Sequence, residues 1–546
     1  MQKRFSVSVA AVAIGLSLLV VAGFAGAANS ASGSSGKVGK TGGTLNVNLS
    51  ATDFDFLDPA LSYSSWTWQF TYMTNLKLLN YPDKPRPEGS QLVAEGADLP
   101  TVSADGKTYT FNVKPGFKFN TGEAVTAQSY ADGINRTLTP KMQSPGAQDV
   151  FLGAVDGYAD MVGGKTATLK GLSVKGNVLT IKLAKADPAF LSKISLPFFT
   201  AIPKGLPIND KGERTPAMAG PYYIKSYEVG RQAVFEKNPN YAGTRKGNLD
   251  RIVVTINTDL DQSFLQVKSG QADYDAGGLP PAQVASLAPL LGKQFFVDTQ
   301  LEVDYLALNT TAGRFFSDVN ARKAANNAVD RPAMLRARGA FAGKRTDQQL
   351  PPGIAGFRDE KIYPIAGANV DRAKSFWSKG GKITIYTGNK GAALIQAQVL
   401  QYNFKQIGVD TDIKQFTSAV LYAKAGTKGE AYDAALVGWG SDYPDASDFL
   451  DVLLNGQNIH DTNNNNLAYF NEPAVNTALN KAAVLGGAAR DKAYGDADVM
   501  ITAKYAPWVA YDNRNERSFI SSRMDPACFV FQPIYAKMNL VTACLK

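Results

Sequence analysis

Two stretches switch hydrophobic period in the same way, and that switch limits the chain to folds in which helices pack on a sheet. Arg251-Ile-Val-Val-Thr-Ile256 reads as a buried strand, a helix from Asp261 is stopped by Gly270, and Ala272-Asp-Tyr274 resumes the strand pattern. The order returns in Lys382-Ile-Thr-Ile-Tyr-Thr387, a helix over about Ala392 to Ile407 stopped by Gly408, and the alternating Val409-Asp-Thr-Asp-Ile413. Between them Asp318 and Asp330 stand as N-caps of two consecutive helices, the second with Pro332 in its first turn. The chain is therefore α/β in class.

The first half is richer in hairpins. Gly43 to Leu49 alternates Leu45, Val47 and Leu49 and predicts the first strand; Tyr63 to Trp66 predicts an aromatic, polar loop before a helix through Met73 to Leu79. Thr108 to Lys114 puts Tyr109, Phe111 and Val113 on one face, and Pro115-Gly116 predicts a turn into a short strand from Phe117 to Phe119. Thr126 caps a helix to about Leu138, ahead of Pro140. Two further hairpins are expected, Leu172 to Leu183 turning at Lys175-Gly-Asn177, and Pro221 to Phe235 turning at Gly230. No internal repeat of fixed period is visible.

With 546 residues the chain exceeds one core and predicts roughly three domain-sized units. Its net charge of +9 is spread out, without the Lys/Arg blocks of a nucleic-acid or lipid-binding patch, so nucleic acid is not an expected partner. Residues 1–27 read as a signal peptide: Lys3-Arg4, an apolar run from Phe5 to Phe24, and Ala25-Gly26-Ala27 as the cleavage site. An uncleaved anchor stays open as the alternative, since a span takes ~20 apolar residues. Residues 28–42 form a flexible Ser/Gly-rich linker, in which Gly36 to Thr41 fails the phosphate-loop spacing because Ser34 stands where glycine is needed. The only cysteines, Cys528 and Cys544, are candidates for a disulfide that fastens the C-terminal tail; two buried thiols are the other reading.

One stretch concentrates chemistry. Leu436-Val-Gly-Trp-Gly-Ser-Asp-Tyr-Pro-Asp-Ala-Ser-Asp-Phe-Leu450 ends an apolar run and delivers a Trp, a Tyr and three carboxylates. A carboxylate beside aromatic faces suits an ammonium group, because a charge-assisted hydrogen bond and cation–π attraction act on the same atom. On its own residues, however, a W-G turn with Asp residues is more often a helix N-cap and a core Trp.

Four segments together resemble one family. Tyr109 to Thr126 is similar to the strand-turn-helix signature of extracellular solute-binding proteins of the oligopeptide, dipeptide and nickel type, which serve ABC importers. Gly220-Pro-Tyr-Tyr with Asn238-Pro-Asn-Tyr, Tyr305-Leu-Ala-Leu-Asn309 with Phe316 to Arg331, and Gly438-Trp-Gly-Ser-Asp-Tyr-Pro-Asp445 match its other elements, with Asn320 in place of the usual Arg. The resemblance implies a two-lobed periplasmic-binding-protein-like fold (type II, with an extra inserted domain) and a ligand cleft between lobes. The first lobe would take residues 43–78, 197–300 and 505–546, the inserted domain 79–196, and the second lobe 301–504.

It also implies a function: capture of di- or oligopeptides outside the cytoplasm, by closure of two lobes, for delivery to membrane permease subunits, by a monomer without cofactor or catalysis. Asp442 would accept the peptide's ammonium; Trp439, Gly440 and Ser441 would bind main chain or wall the pocket beside Tyr443; Tyr63, Ser65 and Trp66 would face them. Asp445 and Asp448 read as capping or surface residues. A lipid anchor is not expected, because Val21-Ala22-Gly23 is followed by Phe24 and not by cysteine. Nickel or haem ligation is not expected either, His460 being the only histidine. The rival ligand is an oligosaccharide stacking on Trp439, Tyr443, Tyr63 and Trp66. An exported hydrolase is the rival class, although no G-x-S-x-G or H-E-x-x-H motif occurs.

Overall fold

The protein is described by a computed structural model over residues 39–50, 53–257, 259–389 and 391–546. The signal segment and most of the linker lie outside the described residues. Among those described, no helix is long and apolar enough to cross a membrane.

The chain begins with β1 (Thr44–Leu49), whose Leu45, Val47 and Leu49 are buried as their alternation requires. A short pair, β2 (Leu79–Asn80) and β3 (Val93–Ala94), leads into a four-stranded antiparallel sheet of β4 (Thr101–Val102), β5 (Thr108–Asn112), β6 (Leu172–Lys175) and β7 (Val178–Lys182), in the order β4-β5-β7-β6. The chain then returns to β1 with β8 (Tyr222–Glu228), β9 (Gln232–Lys237), β10 (Arg251–Ile256) and β11 (Tyr274–Asp275). These complete a five-stranded sheet in the order β11-β1-β10-β9-β8, in which β1 runs parallel to both neighbours.

A seven-stranded sheet follows, built from β12 (Phe295–Thr299), β13 (Glu302–Leu308), β14 (Gly343–Arg345), β15 (Gly381–Gly388), β16 (Val409–Phe416), β17 (Ala434–Gly440) and β18 (Trp508–Phe519). Its order is β12-β18-β13-β17-β15-β16, with β14 on the β18 edge. A last pair, β19 (Phe531–Gln532) and β20 (Lys537–Met538), precedes Cys544, which is disulfide-bonded to Cys528. Helices cover both faces of the seven-stranded sheet, with separate cores on each: Tyr305, Ala435 and Trp508 on one, Leu306, Leu436 and Val509 on the other.

Local chemistry explains most element ends. Thr126 and Ser129 form a reciprocal capping box at the start of the helix Ala127–Leu138, and the Asp318 and Asp330 side chains accept from the amides of Asn320 and Ala333. The hairpin β6-β7 turns between Lys175 and Val178. Polar residues of the family motifs work as scaffold. Buried Arg331 donates to the carbonyls of Thr346, Ala510, Asn326 and Pro364, and Arg322 to those of Tyr505, Phe316 and Ser317. Asn238 donates to the Gly220 carbonyl while its own Oδ1 accepts from the amide of Asn240.

Two expectations are corrected. The hairpin from Thr108 to Phe119 does not form: β5 pairs with β4 and, seventy residues on, with β7, while Phe117 and Phe119 enter the same core as irregular chain with one bridge, Lys118 to Ala124. Tyr63 to Trp66 is not wholly loop, because the helix already begins at Ser65; it ends at Thr74, where Asn75 turns extended and its side chain bonds the Pro197 carbonyl. At the chain crossings β12 and β18 pair with each other and β18 also pairs with β13, so the crossing chains continue the seven-stranded ladder before Ile520 bridges to Tyr274 of the five-stranded sheet. The two lobes thus share a pair of strands at their junction.

Candidate functional site

The site is built at the end of β17. This strand lies antiparallel to β13, with Trp439 opposite Val303 and Gly440 opposite Glu302, and the Ser441 amide extends the ladder by donating to Leu301 O at 2.8 Å. Glycine is required at 438, since a Cβ there would collide with the Asp304 carboxylate. The chain then leaves the sheet and enters the helix Ser447–Leu454.

The turn closes on Asp448. Its Oδ2 accepts from the Asp442 amide at 2.9 Å and from Trp439 Nε1 at 3.2 Å, so one carboxylate fixes both the indole and the loop backbone. Asp448 is fully buried and its Oδ1 has no partner. The capping or surface role expected for it is therefore wrong: a residue in the first turn of a helix reads as a cap, and nothing local says that this turn lies under a Trp. Asp445 does act locally, accepting from the Ser447 amide, and also makes a two-pronged ion pair with Arg490 at 2.7 and 3.3 Å.

Asp442 points toward the other lobe. Its Oδ2 accepts from the Tyr63 hydroxyl at 2.9 Å, a bond spanning 379 residues of sequence, and only 9% of Asp442 is exposed. Burial pushes its pKa up to about 7 against the opposing hydrogen bond from Tyr63. Asp448 is raised well above the usual carboxylate range by burial and then by the charge of Asp442. Among the described residues no basic side chain offsets either carboxylate. Asp445 differs: burial raises it, but the hydrogen bond and charge of Arg490 outweigh burial and hold it low. Deeper in the same helix Asp451, which accepts from the Tyr494 hydroxyl, is raised by burial to about 7. Asp451 escapes the sequence reading and Asp448 enters it only as a capping or surface residue; the step of three residues from Asp445 to Asp448, and again from Asp448 to Asp451, is the available signal.

The remaining candidates separate. Trp439 is half-buried against the second lobe's core, Gly440 is exposed, and the Ser441 hydroxyl donates to the Tyr443 carbonyl. Tyr443 is 1% exposed and sits in the first lobe's core with Trp68, Tyr72, Tyr81 and Phe198, the one residue of 301–504 among them. It is thus a lobe-to-lobe contact. Tyr63 packs between Trp68 and Phe198 at 6.0 and 5.7 Å between ring centroids. Ser65 is exposed, and Trp66 packs on the five-stranded sheet's core, away from the aromatic group around Tyr63. His460 is exposed in a loop held by Asn464.

The geometry makes a water-poor pair of carboxylates, held by neutral donors only, with an aromatic wall and donors from both lobes. Such a pair needs a cation or a proton. Tyr63→Phe removes one donor to the ionised form and is expected to weaken binding of a cationic ligand by about 1 kcal/mol in calorimetric titration; an unchanged affinity would detach Tyr63 from the site.

Comparison with known proteins gives the family and the fold. The model of bacterial extracellular solute-binding proteins, family 5 Middle, matches residues 89–461. The chain is 27% identical to heme-binding protein A of Haemophilus influenzae, covering 75% of this chain and 76% of the relative. It is 26% identical to an oligopeptide-binding protein of Bacillus subtilis, covering 75% and 77%. Among solved structures, a clavulanic acid biosynthesis oligopeptide binding protein superposes with a TM-score of 0.85 at 21% identity, over 93% of this chain and 96% of that one. A periplasmic binding protein of Helicobacter pylori in complex with the peptide STSA gives 0.78 at 19% identity, over 93% and 98%. The chain belongs to the family 5 extracellular solute-binding proteins of ABC importers, two-lobed α/β proteins with the ligand cleft between the lobes.

Proposed function

We propose that this chain captures peptides by their free amino terminus, with Asp442 accepting the ammonium and Asp448 holding the loop that presents it. The observation that carries this is the buried, cation-free carboxylate pair bonded from the opposite lobe by Tyr63. An ammonium entering there replaces the missing counter-charge. Trp439 to Ser441 serve as wall and main-chain partners, and Tyr443 locks the lobes. A ligand that touches both lobes binds the closed form better and so shifts the population toward it, which is the signal passed to the permease.

In the same reading the first lobe's core comes from residues near 43–78, 197–294 and 520–546, the inserted domain from 79–196, and the second lobe from 295–519. The protein works as a monomer outside the cytoplasm, exported by residues 1–27 without a lipid on an N-terminal cysteine, and it carries no catalytic role. The charge requirement also speaks against a neutral oligosaccharide, which would leave both carboxylates without a counter-ion.

The test is a pair of titrations with one peptide mixture, free and N-acetylated. The free mixture should bind at least about a hundredfold more tightly, a difference of about 2.7 kcal/mol; equal affinity, or tighter binding of a neutral oligosaccharide, would refute the assignment.

A further inference from the structure

A second concave feature lies outside the cleft, at the outer edge of the second lobe's sheet. A groove of about 560 Å³ opens between the end of the helix Arg331–Arg336 and the edge strand β14. Pro332, Leu335 and Phe341 give it apolar walls, and Arg336, Lys344 and Arg345 are exposed around it. Among the described residues none of these three cations makes an ion pair or a side-chain hydrogen bond. The buried carboxylates of the adjoining strands, Asp304, Asp512 and Glu302, pair instead with Arg338 and Arg514.

Phe341 sharpens the case. It is 38% exposed and holds φ at 58°, a left-handed conformation that is unfavourable for a bulky side chain. The turn therefore keeps an aromatic ring at the groove, against Phe295, at a local energetic cost. Basic residues on an edge strand also guard against edge-to-edge pairing, which accounts for Lys344 and Arg345. That role leaves Arg336, on the helix side, and the strained Phe341 without an explanation.

We propose that this groove docks an acidic polypeptide segment of a partner protein, with carboxylates on Arg336, Lys344 and Arg345 and a bulky apolar side chain between Pro332, Leu335 and Phe341. Charge complementarity selects the segment, and the concave apolar floor favours an inserted side chain over a flat lipid surface. The inference is independent of the ligand assigned to Asp442.

The experiment uses a fluorescent hexapeptide of alternating Glu and Leu, N-acetylated so that it offers no ammonium to Asp442, and follows its anisotropy on the full chain. Binding is expected in the micromolar range, weakening about tenfold from 50 to 500 mM salt as screening shortens the reach of the charges. Arg336→Glu with Lys344→Glu should weaken it at least about tenfold. Phe341→Gly should do the same without lowering the melting temperature, because glycine accepts the left-handed turn. All these variants should leave affinity for a free-amino peptide in the cleft unchanged. The proposal is overturned by equal binding of a Lys/Leu peptide, by no binding below millimolar concentration, or by binding of phosphatidylglycerol vesicles that the charge reversals abolish while the acidic peptide is unaffected.

Discussion

Asp442→Asn is expected to weaken binding of a free-amino peptide by about 3–5 kcal/mol, roughly two to three and a half orders of magnitude, while raising the melting temperature of the empty protein. Both effects have one cause. Asp442 and Asp448 are buried with neutral donors only, so without a cationic partner the folded protein carries the cost of desolvating charge that nothing balances. The amide keeps the shape and still accepts from Tyr63, so that cost falls. With ligand bound, the same carboxylate balances an ammonium that is itself out of water, and the amide leaves that cation unpaired. Calorimetry and thermal melting on one preparation read both numbers. Affinity within about threefold of the parent would remove Asp442 from the ammonium site; a lowered melting temperature would show that its burial is compensated by something else.

The empty protein is also expected to lose stability between about pH 4 and pH 7. Burial raises Asp442, Asp451 and Asp498 to about 7, whereas an unfolded aspartate titrates near 3.9. Within that window the folded state holds protons that the unfolded state has released, so the free energy of unfolding falls as pH rises. Their stabilising contribution is complete below about pH 4 and lost above about pH 7. Each group costs at most about 1.4 kcal/mol per pH unit, and less where groups share a proton. Asp445 and Asp83, held low, act with the opposite sign but only below the ordinary aspartate range.

Ligand reverses the trend, because an incoming ammonium displaces the proton, so peptide affinity should rise from pH 5 to pH 7. Melting curves of the empty protein that rise steadily across the window would contradict this. Asp442→Asn should flatten part of the slope.

What the sequence made legible follows the range of the interactions involved. The caps at Thr126, Asp318 and Asp330 and the turn at Lys175 were readable because the groups that set them lie within a few residues. The partner of β5 was not, since Phe117 to Phe119 carries the same alternation as β7 and only the assembled sheet chooses between them. Asp442 stood out by its place in a motif. Asp448, which holds Asp442, did not, because its role depends on Trp439 folding back over the helix turn. Tyr443 reads from sequence as a pocket residue for its chemistry, whereas its ring lies in the first lobe's core, whose other members are distant in the chain.

That ring has one more consequence. A phenol 1% exposed among the other lobe's side chains cannot stay there when the lobes part. Opening must strip it out and leave two apolar scars facing solvent, one on the tip of the helix-entry loop and one in the first lobe's core. The empty and loaded forms therefore differ in stickiness as well as in shape, and a membrane receptor that must turn away empty carriers has a texture to read, not only an angle.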